Sequence, residues 1–357
     1  FGVLCAGCAY VPLDPEHPTV RLVTVIYSAC LRCLVLMQRD RVLIPSSKKE
    51  REPGLVSYYR AKAIFNGGGR SACYVLFTSG STGKPKGVVL EHVNVQHLIG
   101  AVKDVALSPA SPRVLFAPAY TFDVHVHSVY VALNAMGRLY AYPKTHMLSG
   151  LGDIIVGCQI SSLQCTPTLV NMLKDQYALS IDDLHVAGEA LSPEIMVRCS
   201  MLVPSMCNLY GPTEGAVYLT WTRTIRSMPF PTTIGRSVRN VLAAVFANIP
   251  EREDDADSHY PGELRCVGKQ IARGYFRRPS QTATVFQDKR GTRRYCTGDL
   301  SRNLPDGTIA FMGRIDCQVK LRGFRIELGE IENVLLSLNS SVISAACTLV
   351  NNEYLAA

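Results

Sequence analysis

Short apolar runs, each closed by a Gly or Pro turn and followed by residues at helical spacing, set the rhythm of this chain. Tyr74-Val75-Leu76-Phe77 reads as a buried strand. Past the loop that follows it, Asn94 to Ala106 reads as an amphipathic helix, and Val124 to Met136 as another with Gly137 as its C-cap residue. Ser192-Pro193-Glu194 marks a helix start, with Ser as N-cap and Pro at the first helical position. Strands alternating with helices predict α/β layers around a mostly parallel sheet. From about Met228 to Gly313 the helical spacing thins out, and short strands such as Gly262 to Val267 take over. That predicts a β-rich part appended to the α/β core. Arg325 to Leu338 opens a new helical pattern, and no internal repeat is visible.

Composition narrows the class. The 357 residues are 47% apolar and 18% charged, which suits a soluble globular protein of about two domains and argues against disorder. No apolar run approaches the ~18 residues of a membrane span. The start, Phe1-Gly2-Val3-Leu4, has no signal-peptide layout, and without an initial Met it reads as cut from a longer chain. The net charge of +8 is spread along the chain instead of being stacked into a nucleic-acid stripe. Thirteen scattered cysteines, an odd number, argue against a disulfide framework and for a reducing, cytoplasmic setting. Cys5-x-x-Cys8 and Cys30-x-x-Cys33 have zinc-knuckle spacing, but their apolar surroundings favour small buried thiols over a metal site.

One loop carries chemistry. Thr78-Ser79-Gly80-Ser81-Thr82-Gly83-Lys84-Pro85-Lys86-Gly87 combines three glycines, four hydroxyls and two lysines. The glycines let backbone N–H groups turn inward as an anion nest, and the side chains add donors and charge. The composition says phosphate. The spacing differs from the NTPase P-loop, because only Ser81 and Thr82 separate Gly80 from Gly83, and Pro85 stands where a magnesium-binding hydroxyl would follow Lys84.

This decamer resembles the phosphate loop of the adenylate-forming superfamily. Further segments resemble, in order, the core motifs of adenylation domains of nonribosomal peptide synthetases. They are Leu4 to Pro15, Asn208-Leu209-Tyr210-Gly211-Pro212-Thr213-Glu214, Gly262 to Tyr275, Tyr295-Cys296-Thr297-Gly298-Asp299-Leu300, and Gly313 to Glu327. No single match is decisive; six in order are highly specific. The resemblance implies the adenylate-forming α/β fold. Residues 1–315 would be the large subdomain, incomplete at its start, and residues 316–357 the hinge and the beginning of a truncated small α+β subdomain. It also implies a two-step reaction. An α-amino acid attacks ATP to give an aminoacyl-adenylate, and the acyl group then passes to phosphopantetheine on a carrier domain, with a condensation domain nearby.

Carried over by motif, Thr78, Ser79, Gly80, Ser81, Thr82, Gly83 and Lys84 would hold phosphates. Gly188, Glu189, Ala190, Asn208, Tyr210 and Gly211 would hold adenine, and Asp299 and Arg314 the ribose side. Thr213 would touch the α-phosphate, and Glu214 would help bind Mg²⁺. Asp123 would pair with the substrate ammonium, which favours an amino acid over a fatty or aryl acid. Val124, His127, Gln164, His185, Ala187, Leu209, Val217 and Tyr218 would line the side-chain pocket. Asp316 would be the hinge, and Lys320 would visit the nucleotide in one orientation.

The chain also departs from the family. The catalytic lysine expected near the end of the small subdomain has no counterpart after Lys320, Cys5 replaces a usual lysine, Cys296 a usual arginine, and Phe286 to Tyr295 is short. An impaired fragment is therefore expected. An aryl or acyl ligase of the same superfamily and a degenerate nucleotide-binding domain are the rival readings.

Overall fold

The computed structural model describes Leu4 and residues 8–14, 16–29, 36–38, 41–43, 69–80, 85–106, 111–173, 181–224, 233–247, 260–289, 291–316, 318–321, 324–338, 344–350 and 354–357. Helix α1 (Thr19–Ala29) and a small hairpin, β1 (Leu36–Gln38) with β2 (Arg41–Leu43), come first. Strands β3 (Ala72–Thr78) and β4 (Lys86–Glu91) form an antiparallel hairpin in which Thr78 faces Lys86. The phosphate loop is thus the connection of a buried hairpin, not a strand-to-helix turn. Helix α2 (His92–Val105) follows, and Asn94 accepts a hydrogen bond from Glu91 N–H at 2.7 Å at its start.

The α/β half contains β5 (Arg113–Leu115), α3 (Val124–Asn134), β6 (Arg138–Tyr140), α4 (Lys144–Gly157), β7 (Ser162–Cys165), α5 (Pro167–Met172), β8 (Asp183–Ala187), α6 (Pro193–Leu202) and β9 (Met206–Tyr210). Ser192 caps α6 as expected, its hydroxyl accepting from Ile195 N–H at 3.3 Å. At the end of α3 the expectation shifts by one residue. Met136 takes the left-handed conformation (φ 49°). Gly137 is needed for space instead, because a Cβ there would stand 2.3 Å from the Pro112 carbonyl oxygen.

Next come β10 (Thr220–Thr224), β11 (Thr233–Ser237), β12 (Val241–Ala247), β13 (Gly262–Gly268), β14 (Gly274–Tyr275), α7 (Pro279–Val285), β15 (Phe286–Lys289), β16 (Thr292–Asn303) and β17 (Ile309–Arg314). The β-rich stretch is there, but it is not a separate sheet. One 12-stranded sheet runs β12-β13-β16-β17-β11-β10-β9-β8-β7-β5-β6, with β15 on β16. Only the pairs among β5 to β9 are parallel, so the sheet is mixed where a mostly parallel one was expected. Beyond Tyr210 the strands pair antiparallel, which needs no helical crossover. A third sheet, β14-β4-β3, carries the phosphate-loop hairpin.

Past Asp316 are β18 (Gln318–Leu321), β19 (Phe324–Glu327), α8 (Leu328–Leu338), β20 (Thr348–Val350) and β21 (Tyr354–Ala356). Residues 325–327, expected as helix, pair with β18 instead, and the helix starts at Leu328. Two apolar cores flank the large sheet. Leu163, Leu184, Val186 and Met206 point into one, while Cys207 and Leu209 point into the other. Strand alternation therefore sends Asp183, His185 and Ala187 to the face opposite Leu184 and Val186, and this face looks onto the site.

Candidate active site

A cavity of about 610 Å³ opens where the phosphate-loop hairpin, the start of α3, the end of β8, the turn after β9, the ends of β16 and β17, and β18 to α8 converge. Its wall includes Thr78, Ser79, Asp123, Val124, Ala187, Gly188, Gly211, Thr213, Val217, Asp299 and Arg314. The sequence reading thus scatters these residues over more than two hundred positions, and the fold gathers them around one space. The Thr78 hydroxyl is buried there with no hydrogen-bond partner among the described residues, a vacancy that a phosphate oxygen suits. Ser81, Thr82, Gly83 and Lys84 lie outside the described residues.

Glu189, Ala190, Asn208, Leu209 and Tyr210 line a smaller adjoining cleft, which shares Gly188 and Gly211 with the main cavity. Asn208 donates to the Thr233 carbonyl at 2.9 Å, and Glu189 accepts from Thr168 N–H at 3.0 Å and its hydroxyl at 2.7 Å. Tyr210 O–H donates to Asp299 Oδ2. Burial first, then the Asp299 charge, pushes the Tyr210 phenol well above its ordinary range, so it stays a donor. Arg314 Nη1 donates to Asp299 Oδ1 at 2.7 Å, and its Nε reaches Asp316 Oδ1 at 2.8 Å. Arg314 therefore ties Asp299 to the expected hinge residue Asp316.

Glu214 follows Thr213, which lines the cavity. It is fully buried and off the cavity wall, and its carboxylate accepts from Tyr275 O–H at 2.7 Å. No cluster of three metal-ligating side chains occurs among the described residues. Magnesium usually needs only one or two carboxylates beside the phosphates of its nucleotide, so a cluster of three is not required for it. His127, Gln164, His185 and Tyr218 are also closed off from the cavity, each at 0–1% exposure. Lys320 lies on β18, with its side chain outside the described residues. Cys8 is exposed, against the buried-thiol expectation, and Cys5, Cys30 and Cys33 lie outside the described residues.

Several residues escaped the motifs. Ala216 and Val217 take φ of 50° and 79°, two successive left-handed non-glycine residues. Each costs about 1–3 kcal/mol, so something must hold them. Fully buried Gln270 does, donating to the carbonyls of Gly215 (3.0 Å) and Ala216 (3.2 Å) and also to that of Tyr218. His17 and Arg21 bring α1 to the cavity, and Glu330 of α8 lines it as well. Burial raises the Glu330 carboxyl above its ordinary range, and Arg21 and the Gly80 N–H partly offset this. None of these residues follows a periodicity that would have singled it out.

The family of AMP-binding enzymes matches residues 1–276. This chain belongs to that family. Among curated AMP-binding relatives, tyrocidine synthase 3 of Brevibacillus parabrevis is 37% identical over 94% of this chain, and nonribosomal peptide synthetase 7 of Aspergillus fumigatus is 30% identical over 95%. The chain spans only 5% and 14% of those relatives. The Vibrio cholerae adenylation domain AlmE, solved with glycyl-adenosine-5'-phosphate, superposes with a TM-score of 0.81 at 22% identity, over 99% of this chain and 74% of that one. A four-domain nonribosomal peptide synthetase, AB3403, solved with AMP and glycine, gives 0.74 at 28% identity, over 99% and 27%. The AMP-binding fold is therefore that of the adenylation domains.

Proposed function

We propose that this chain activates an α-amino acid with ATP. The substrate carboxylate oxygen bonds to the α-phosphorus as the bond to the pyrophosphate oxygen breaks, giving an aminoacyl-adenylate and pyrophosphate. A phosphopantetheine thiol of a carrier domain then attacks the acyl carbon, and AMP leaves. One observation carries the reading: Asp123, only 8% exposed, lines the same cavity as Thr78, Ser79, Thr213 and Asp299. A carboxylate in that wall offers the negative charge with which the α-ammonium of an amino acid pairs. The named residues act by position and charge: Thr78 and Ser79 toward phosphate, Thr213 toward the α-phosphate, Asp299 toward the ribose diol. Magnesium arrives with ATP. A carrier and a condensation domain belong to this reading as neighbours, and Asp316 as the pivot between the two half-reactions.

The test is titration calorimetry with AMP and with aminoacyl sulfamoyl adenosines. Asp123→Ala should leave AMP binding within about twofold and weaken the preferred aminoacyl analogue by more than about thirtyfold. Equal losses for both ligands would refute the assignment.

A further inference from the structure

Asp123 leads into α3 with helical backbone angles (φ −62°, ψ −22°), and its side chain makes no capping hydrogen bond to that helix. Its place in the cavity wall is set one peptide earlier. The Phe122 carbonyl and the Asp123 N–H share one rigid peptide plane, so whatever holds that oxygen helps to aim the Asp123 side chain. Two donors from His125 converge on it, the backbone N–H at 3.2 Å and ring Nδ1 at 2.5 Å. A carbonyl only accepts, so Nδ1 carries the proton. Burial lowers the His125 imidazole below its ordinary range, and the neutral ring keeps a lone pair on Nε2. The Tyr10 hydroxyl, 2.8 Å away, donates to that lone pair. Tyr10 is fastened in turn to β3. Its N–H donates to the Cys73 carbonyl at 3.3 Å, and Val75 N–H donates to the Tyr10 carbonyl at 3.0 Å. Three residues past Val75, Thr78 ends β3 and opens the phosphate loop. The rings of Tyr74 and Phe116 flank the imidazole, with centroids 6.4 and 6.5 Å from it.

We propose that His125 is a positioning residue: braced by Tyr10 against β3, it locks the Phe122–Asp123 peptide and so holds the Asp123 carboxylate, the partner of the substrate α-ammonium, in register with the phosphate loop. This rests on the amino-acid reading above. The two ring nitrogens have different duties. Nδ1 acts on the peptide directly, while Nε2 keeps the ring from turning about its Cβ–Cγ bond, a torsion that is broad and two-fold when nothing pins it. Without the ring, the Phe122 carbonyl retains the His125 backbone N–H at 3.2 Å and is freer to tilt. A displacement of about 1 Å at a site of this kind costs about a hundredfold in rate. His125 is 8% exposed and is not part of the cavity wall, so it touches neither ligand and acts only through Asp123.

The test compares glycyl sulfamoyl adenosine with acetyl sulfamoyl adenosine by titration calorimetry. The two differ by the α-ammonium, and neither carries a side chain for the pocket to judge. In the unaltered chain the glycyl probe should bind at least about tenfold better, the value of one charge-assisted hydrogen bond. His125→Asn keeps a side-chain N–H near the place of Nδ1 and should preserve that ratio within about twofold. His125→Gln, whose amide extends toward the place of Nε2, and His125→Ala should each cut it at least about fivefold, and Tyr10→Phe should cut it by a smaller factor. The acetyl probe should change by less than about twofold throughout, whereas a packing defect would weaken both probes together. Nitrogen-15 spectra of the histidine-labelled, unaltered protein should show His125 protonated at Nδ1 and bare at Nε2, a readout independent of whether any variant folds. Equal losses for both probes, a ratio indifferent to which amide stands at position 125, or a proton on Nε2 alone would overturn the inference and leave the amino-acid reading in place. If the glycyl probe has no advantage in the unaltered chain, the amino-acid reading itself has failed and the positioning role falls with it.

Discussion

Lys86 Nζ lies 3.8 Å from Glu327 Oε1, with both side chains about nine-tenths buried. The pair joins the strand leaving the phosphate loop to the strand entering α8. Three residues on, Glu330 reaches the same cavity beside Arg21. The carboxylates of Glu327 and Glu330 thus stand near the loop expected to bind phosphates. Glu330→Gln should tighten ATP about three- to tenfold by removing a like charge, and should change AMP far less. Competition titrations with the two nucleotides check this; a uniform shift would count against it.

Arg314 is the sole cation within hydrogen-bond distance of Asp299 among the interactions described, and Asp299 is 2% exposed. Arg314→Ala should cost about 3 kcal/mol in chemical denaturation at unchanged slope, because it strands a buried carboxylate. Arg314→Ala/Asp299→Asn should recover a good part of that loss. Additive losses would mean the two residues act independently.

Stability should fall as the solution is acidified. His127 has a lowered pKa in the folded chain, so below about pH 6.5 the unfolded state binds a proton that the folded state refuses. This stability is fully present above the unfolded value and is lost as pH drops toward the folded one, by up to about 1.4 kcal/mol per pH unit. His185, itself bonded to Asp183, and Tyr218 face the imidazole and stay in place in His127→Gln. That variant should therefore show a shallower decline between pH 7 and 5 in denaturant titrations. His125, also lowered by burial, supplies a residual slope.

Gly211 ends β9 where a Cβ would lie 2.4 Å from Tyr218 Cα and 2.7 Å from the Val217 carbonyl oxygen. Gly211→Ala must push that backbone away, and with it the two left-handed residues of the pocket wall. Affinity for aminoacyl analogues should drop by at least about tenfold, the effect of a small misplacement at a reacting site. AMP should be weakened as well, since Gly211 borders both cavities. Unaltered binding of both would show that the turn yields freely.

Local signals were read well where the reason for an element lies within it. The Ser192 cap, the buried run at Tyr74 and the helix after Asp123 needed nothing distant. Residues 325–327 were misread because their strand exists only through pairing with residues 318–321. The mixed sheet was missed because strand direction depends on how the chain returns, and spacing does not encode that. At the site, the motif residues that line the cavity could be named from their spacing. Contacts made by burial could not: Gln270 holds backbone carbonyls, Asp183 meets His185, and Glu214 meets Tyr275. Each role is set by neighbours far away in sequence.

Strand β14 adds Gly274 and Tyr275 to β4 opposite Val89 and Val88, and the Tyr275 hydroxyl reaches Glu214. Among the described residues, the strand that flanks β4 on its far side comes from Gly274 and Tyr275, well downstream of the loop that Thr78 opens. During synthesis the phosphate loop must therefore leave the ribosome long before its support does, and nucleotide capture has to wait for the far end of the β-rich region to emerge.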